Sequence, residues 1–301
     1  MTIHVVGNVC IDSSFHLERL PQRGETVNAE TASEGLGGKG ANQAVAAART
    51  GAAVTLWAAV GRDAAADRMQ DLLSAELDDL RLSRLDLPSD RSVVLVDGLG
   101  ENVIVTAAAC ANAFDPLREG ALPSAFRRGD MLLMQGNLPS RTTADCLRQA
   151  RAAGLFTVLN PSPLPPAGME LGSLSLLIAN RPEAQMLTGE ADPQAAARRL
   201  RALSIDHIVI TLGGDGAFLL DGDASLTIPA HPTDVVDTSG AGDCYTGTLA
   251  GLIHRGVPLA RAAGVASAAA ALSVSRPGTL AAFPTLADLD AHIPSFTTDN
   301  T

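Results

Sequence analysis

Short apolar runs alternate with helix-patterned segments along most of this 301-residue chain, and that alternation restricts the fold more than any other feature. IHVVGN, VTLWAAV, DMLLMQG, FTVLN, LSLLIAN and HIVITLG read as strands. ANQAVAAART, AAADRMQDLLSAE, RTTADCLRQARAA, DPQAAARRLRAL, the stretch after Gly242 and VPLARAAGVASAAAALSV read as helices. Such alternation predicts an α/β fold, a central mostly parallel sheet flanked by helices, with functional loops at the carboxyl ends of its strands. Several of those ends are polar or glycine: Gly7-Asn8, Gly136-Asn137, Asn160, Asn180 and Gly213-Gly214.

Two segments break the rhythm. Residues 14–33 and 91–108 alternate with period two, the second around Gly98-Leu99-Gly100, and predict a small β lid inserted into the main domain. The main domain is then expected over 1–13, 34–90 and 109–295, with 296–301 as a loose tail.

With 46% hydrophobic residues the chain can bury a large core. No apolar run reaches the roughly eighteen residues a membrane span needs, so no membrane partner is expected; GVASAAAALSV reads as a buried helix. MTIHVVGNV lacks the cationic start of a secretory signal. A formal charge of -11 without a Lys/Arg run disfavours nucleic acid and favours a small ligand. Cys10, Cys110, Cys146 and Cys244 show no C-x-x-C spacing, which fits a reducing, cytoplasmic setting.

EGLGGKGANQ (34–43) is the densest glycine cluster, and it formally contains G-x-G-x-x-G. A dinucleotide fingerprint requires an apolar strand before it, whereas TVNAETASE is polar; a Walker A loop requires Ser or Thr after Lys39, and Gly40 stands there. Two readings remain: a loop opening onto a helix whose first amides, with Asn42, receive polyol oxygens, or a plain glycine turn.

A second cluster, VVDTSGAGDCYTGTLAGL (235–252), runs through Gly240, Ala241 and Gly242 into a helix with Asp243 in its first turn. Free amides beside a carboxylate suit phosphoryl transfer to a hydroxyl, which needs a base for the proton and donors for the charge on phosphate. An ordinary first-turn acid is the alternative.

GNVCID, GGKGANQAVAAARTGA, NPSP, NRPE, TLGGDG, DTSGAGD and SRPGT follow, in order and spacing from residue 3 to about 285, the pattern of the ribokinase-like (PfkB) carbohydrate kinases, and the chain resembles that family. The resemblance implies an ATP-dependent kinase for ribose or a related small sugar. By the same resemblance Asp243 is the base and Gly240, Ala241 and Gly242 are the anion hole. It implies a sugar clamp of Asp12, Gly38, Lys39 and Asn42. Asn180 and Glu183 would act on magnesium and phosphate, and Thr211, Gly213 and Gly216 would lie at the nucleotide. A potassium site would draw on Asp237, Ser239, Ser273, Arg276 and Gly278. It further implies a homodimer paired through the lid.

Two positions depart from the family pattern: Ala282 replaces a serine near the cation site, and Asn137 replaces a glutamate that reaches the sugar. An amide both donates and accepts, so Asn137 leaves the choice of sugar open. Alternatives are a nucleoside kinase, which one Trp and one Tyr disfavour, and a sugar-binding regulator without turnover. A dehydrogenase is the most distant reading.

Overall fold

The computed structural model describes residues 1–98, 102–118, 121–164 and 169–292. Its elements, in chain order, are β1 (Ile3–Val6), β2 (Cys10–His16), β3 (Thr31–Gly37), α1 (Lys39–Ala48), β4 (Val54–Val60), α2 (Ala64–Ser74), β5 (Asp79–Arg84), β6 (Arg91–Val96) and β7 (Asn102–Ala107). There follow α3 (Ala109–Ala113), α4 (Ala121–Ala125), β8 (Met131–Gln135), α5 (Ser140–Ala152), β9 (Phe156–Asn160), β10 (Leu176–Asn180), α6 (Arg181–Thr188), α7 (Pro193–Arg201) and β11 (His207–Thr211). The chain continues through β12 (Ala217–Asp221), β13 (Ala224–Ile228), α8 (Ala241–His254), α9 (Leu259–Val274) and α10 (Leu286–His292).

Nine strands form one sheet in the order β13-β12-β11-β10-β9-β8-β1-β4-β5. It is parallel except at β12 and β13. Successive residues of a strand point to opposite faces, and both faces here are covered. Met131 and Leu133 of β8 join one apolar cluster with α1, α8 and α9, while Leu132 and Met134 join another with α5 and α7. This is why the strands read as continuous apolar runs. The predicted buried Ala-rich helix is α9, and the expected α/β architecture is present.

β1 pairs with β4 on one side and β8 on the other. The chain therefore winds outward in two directions from β1, and the crevice beyond the carboxyl ends of β1 and β8 is where such sheets bind ligands.

The second sheet, β3-β2-β6-β7, is the lid. It is longer than the period-two segments suggest: β2 starts at Cys10 and β3 ends at Gly37, so Asp12 and residues 34–37 belong to it. The cause lies in the pairing of Asp12 with Gly35 and Cys10 with Gly37, where a side chain at Gly37 would run into the Asp12 carboxylate. Residues 17–30 connect the two strands and are not ribbon. Leu99, Gly100 and the tail 296–301 lie outside the described residues.

Helices α1 and α8 pack face to face. Asp243, Gly247 and Gly251 recur every four residues and so share one face of α8. A β-carbon at Gly247 would lie 2.4 Å from the Gln43 carbonyl and 2.6 Å from Ala46 Cβ; at Gly251 it would lie 2.3 Å from Thr50 Oγ1. Bare glycine lets the helices approach, and that approach brings Gln43 to Asp243.

Candidate active site

The loop before α1 turns under β1. Gly38 has φ 96°, open to glycine, and a β-carbon there would meet the Asn8 carbonyl at 2.8 Å. The Ala41 amide donates to that same carbonyl at 3.1 Å, so α1 begins against the end of β1. Lys39 and Asn42 stand in its first turn.

Asp243 is buried at 4% exposure. Asn42 Nδ2 donates to its Oδ2 at 2.9 Å, Gln43 Nε2 donates to its Oδ1 at 2.8 Å, and Lys39 Nζ lies 3.7 Å from Oδ1. α8 starts at Gly240 in the left-handed region with φ 74° and no side-chain cap. The Ala241 amide, one of those expected in the anion hole, donates to Thr238 O at 3.3 Å. The amides of Gly242 and Asp243 lie in the helix's first turn, where no intrahelical acceptor exists, and the space before Gly242 is open.

Asp12 faces this group from β2. Burial, ahead of every other cause, pushes its carboxyl above the usual range, and the charge of Asp243 pushes the same way; bonds with Cys10 and Ser92 oppose them. Cys10 Sγ donates to Asp12 Oδ1 at 3.1 Å. Asn42 Oδ1 is buried without a hydrogen-bond partner, and so is Asn137 Oδ1.

Asn137 follows β8 and lines a cavity of about 420 Å³ with Asn8, Thr106 and Asn112 among its walls. Thr106 extends a polar chain into the lid through Ser92 Oγ at 3.0 Å. That lid side was not read from the sequence, because β6 and β7 are far from β1 along the chain.

The residues expected at the nucleotide lie at neighbouring strand ends: Asn180 and Thr211 are register partners on β10 and β11. Gly213 opens the short 3-10 turn Gly213–Asp215. At Gly216 a β-carbon would come 2.1 Å from the Ile228 carbonyl, a packing need independent of any ligand. Asn180 and Glu183 form a capping box on α6: Asn180 Oδ1 accepts from the Glu183 amide at 2.8 Å and Glu183 Oε2 accepts from the Asn180 amide at 2.9 Å. N-x-x-E before an apolar run is itself the sequence signal for that box.

Asp237 ties together the loops expected to hold a cation. Its Oδ1 accepts from the Ser239 amide at 2.8 Å and its Oδ2 from the Gly278 amide at 2.9 Å. Burial acts to raise this carboxyl, but those amides hold it below the usual range. The side chains of two residues expected at the cation make other bonds. Ser273 Oγ donates to Ala270 O at 2.8 Å and its carbonyl accepts from the Arg276 amide, while the Arg276 guanidinium is bidentate on Asp288 and holds that carboxyl well down. Ala282 is buried.

The sequence profile of the pfkB family carbohydrate kinases matches residues 2–286. A bifunctional ribokinase/ribose-5-phosphate isomerase A of Fructilactobacillus sanfranciscensis is 33% identical over 295 residues; the match spans 94% of this chain but only 54% of that protein. Ribokinase of Mus musculus is 32% identical over 305 residues, spanning 95% of this chain and 92% of the mouse protein. The structure of Arabidopsis thaliana ribokinase complexed with ribose and ATP superposes with a TM-score of 0.82 at 25% identity, covering 99% of each chain. The chain belongs to the pfkB family of carbohydrate kinases.

Proposed function

We propose that this chain transfers the γ-phosphate of ATP to a hydroxyl of ribose or a related small sugar. The observation that carries the reading is Asp243, a buried carboxylate set beside the open first-turn amides of α8 and approached by Lys39, Asn42 and Asp12. In the reaction the sugar hydroxyl gives its proton to the Asp243 carboxylate. Its oxygen forms the new bond to the γ-phosphorus while the bond to the departing ADP oxygen breaks. Asp12 and the free Asn42 Oδ1 accept from sugar hydroxyls and hold the nucleophile in place. The Gly242 and Asp243 amides take the charge carried by the transferring phosphoryl oxygens.

Among the described residues no three His, Cys, Asp or Glu side chains gather as a metal site. A magnesium ion would accompany the nucleotide's phosphates and supply charge neutralisation there; Asn180 and Glu183 hold each other in a capping box at that strand end, which leaves Asn180 Nδ2 and Glu183 Oε1 for its surroundings. A potassium ion would draw on the Asp237 carboxylate and on loop carbonyls, since the Arg276 guanidinium has no acceptor and could contribute only its backbone oxygen, and the Ser273 hydroxyl donates to Ala270 O.

One face of the lid carries Val93, Val103 and Val105, the last 66% exposed, which supports a homodimer closed through the lids. No helix among the described residues is long and apolar enough to cross a membrane. Four buried free cysteines suit a cytoplasmic setting. Trp57 and Tyr245, the best candidates to stack on a nucleobase, are both buried in the core, which favours a sugar over a nucleoside.

The test is ADP release with ATP, magnesium and a panel of pentoses, hexoses, polyols and nucleosides. Turnover on a pentose or a close relative is expected. Tight sugar binding with no ADP release from any member would replace the kinase by a sugar-binding regulator.

A further inference from the structure

Behind Asp243 lies a chain of three buried side-chain amides. Gln135 Nε2, at the end of β8, donates to Gln43 Oε1 at 2.9 Å. Gln43 Nε2 donates both to Asp243 Oδ1 at 2.8 Å and to Asn160 Oδ1 at 3.0 Å. Asn160 Nδ2, at the end of β9, donates to the Ile178 carbonyl of β10 at 2.8 Å. Gln43 is 0% exposed, Gln135 1% and Asn160 8%.

The chain has one workable direction. The Ile178 carbonyl can only accept, so Asn160 must turn its NH2 toward it and its oxygen toward Gln43. Gln43 then has to present its own NH2 to Asn160, and the NH2 of Gln135 occupies its oxygen. Asp243 therefore faces a donor that cannot be flipped. An amide fixed as a donor holds Oδ1 of the carboxylate in place and so sets the direction in which the base faces its substrate.

We propose that Gln43, oriented by Asn160 and Gln135, is a positioning residue that keeps the Asp243 carboxylate aimed. This rests on Asp243 being the base. Asn42 Nδ2 donates to Oδ2 from the same helix at 2.9 Å, so Gln43 and Asn42 hold one oxygen each. Gln43 is fully buried, so its loss is felt in the chemical step rather than in substrate binding.

The experiment compares kcat and the KM values of sugar and ATP for the full-length enzyme, with wild type, Gln43→Met, Gln135→Met and Asp243→Asn side by side and thermal melts as a check on folding. For Gln43→Met kcat is expected to fall roughly tenfold or more with both KM values within about twofold. Gln135→Met, which leaves Gln43 in place but removes the donor to its oxygen, should show the same split by less; it carries the test alone if Gln43→Met does not fold. A KM that rises in step with the loss of kcat, or no change in either variant, overturns the proposal. An Asp243→Asn enzyme that retains its kcat overturns instead the assignment of the base.

Discussion

Asp12, on the lid strand β2, and Asp237, just ahead of α8, are both partly buried carboxylates, and their surroundings are opposite. Asp237 has both oxygens filled by backbone amides and sits below the usual carboxylate range. Asp12 has a thiol partner and a like-charged neighbour, and burial holds it above that range. The same division extends around them. Asn42 Oδ1 and Asn137 Oδ1 are buried with no partner on the substrate side, whereas Arg276 and Ser273 are fully engaged on the loop side. A buried polar group without a partner is costly to the free protein. On the proposed function the open oxygens of Asn42 and Asn137 receive sugar hydroxyls, whereas Asp237, Ser273 and Arg276 hold loops.

The contrast can be tested from the substrate side first. Asp12→Ala is expected to raise the apparent KM for the sugar by roughly tenfold to a hundredfold, the scale of a lost hydrogen bond to a charged group. The KM for ATP should stay within about twofold, because Asp12 is on the lid and the nucleotide strand ends are elsewhere. Equal effects on both substrates would dissolve the distinction.

A smaller effect is expected at Asn137. If its free oxygen and its NH2 are matched to a hydroxyl pattern, Asn137→Glu should change the ratio of kcat/KM for ribose to that of the best alternative sugar. The change expected is about 1–3 kcal/mol, the cost of one mispaired buried group, in favour of ribose. An unchanged ratio in a folded variant would assign Asn137 to its own loop.

The smallest effects are in stability, and their signs oppose each other. Asp237 has a lowered folded pKa, so its contribution is present above the unfolded value of about 4 and is lost as pH falls through that region. Asp237→Asn should lower Tm at neutral pH, and the difference should shrink in acid. Asp12 has a raised folded pKa, so the ionised carboxylate weakens the empty protein as pH rises above about 4. Asp12→Asn should then raise Tm at neutral pH, with the gain fading in acid. Melting curves of the ligand-free variants across pH check both signs, and a common sign would break the contrast.

Much of this fold was readable along the chain. All six apolar runs are strands and all six periodic segments are helices, because both sheet faces are buried and period and length suffice. β5, DLRLSR, escaped because it is a polar, partly exposed edge strand. β12 and β13 form a hairpin through the two-residue loop Gly222-Asp223, and that G-D signal was present in the sequence but short. The lid's true start at Cys10 was hidden because Asp12 fits only against a bare Gly37.

The site was legible in its parts and not in its assembly. GGKGANQ and GAGD each announce a glycine-opened helix, but Gln43 meets Asp243 across 200 residues, through the Gly247 and Gly251 face of α8. Propensity and period carry no information about such a meeting. Gln135 and Asn160 look like ordinary polar strand ends until the parallel sheet aligns them.

In the proposed reaction Asp243 takes the proton of the sugar hydroxyl. Single-turnover phosphorylation of the best panel sugar by Asp243→Asn, with sugar and ATP affinities measured alongside, tests that role. A rate at least about a hundredfold below wild type is expected, with both affinities within several-fold. A variant that transfers phosphate at close to the wild-type rate would contradict it.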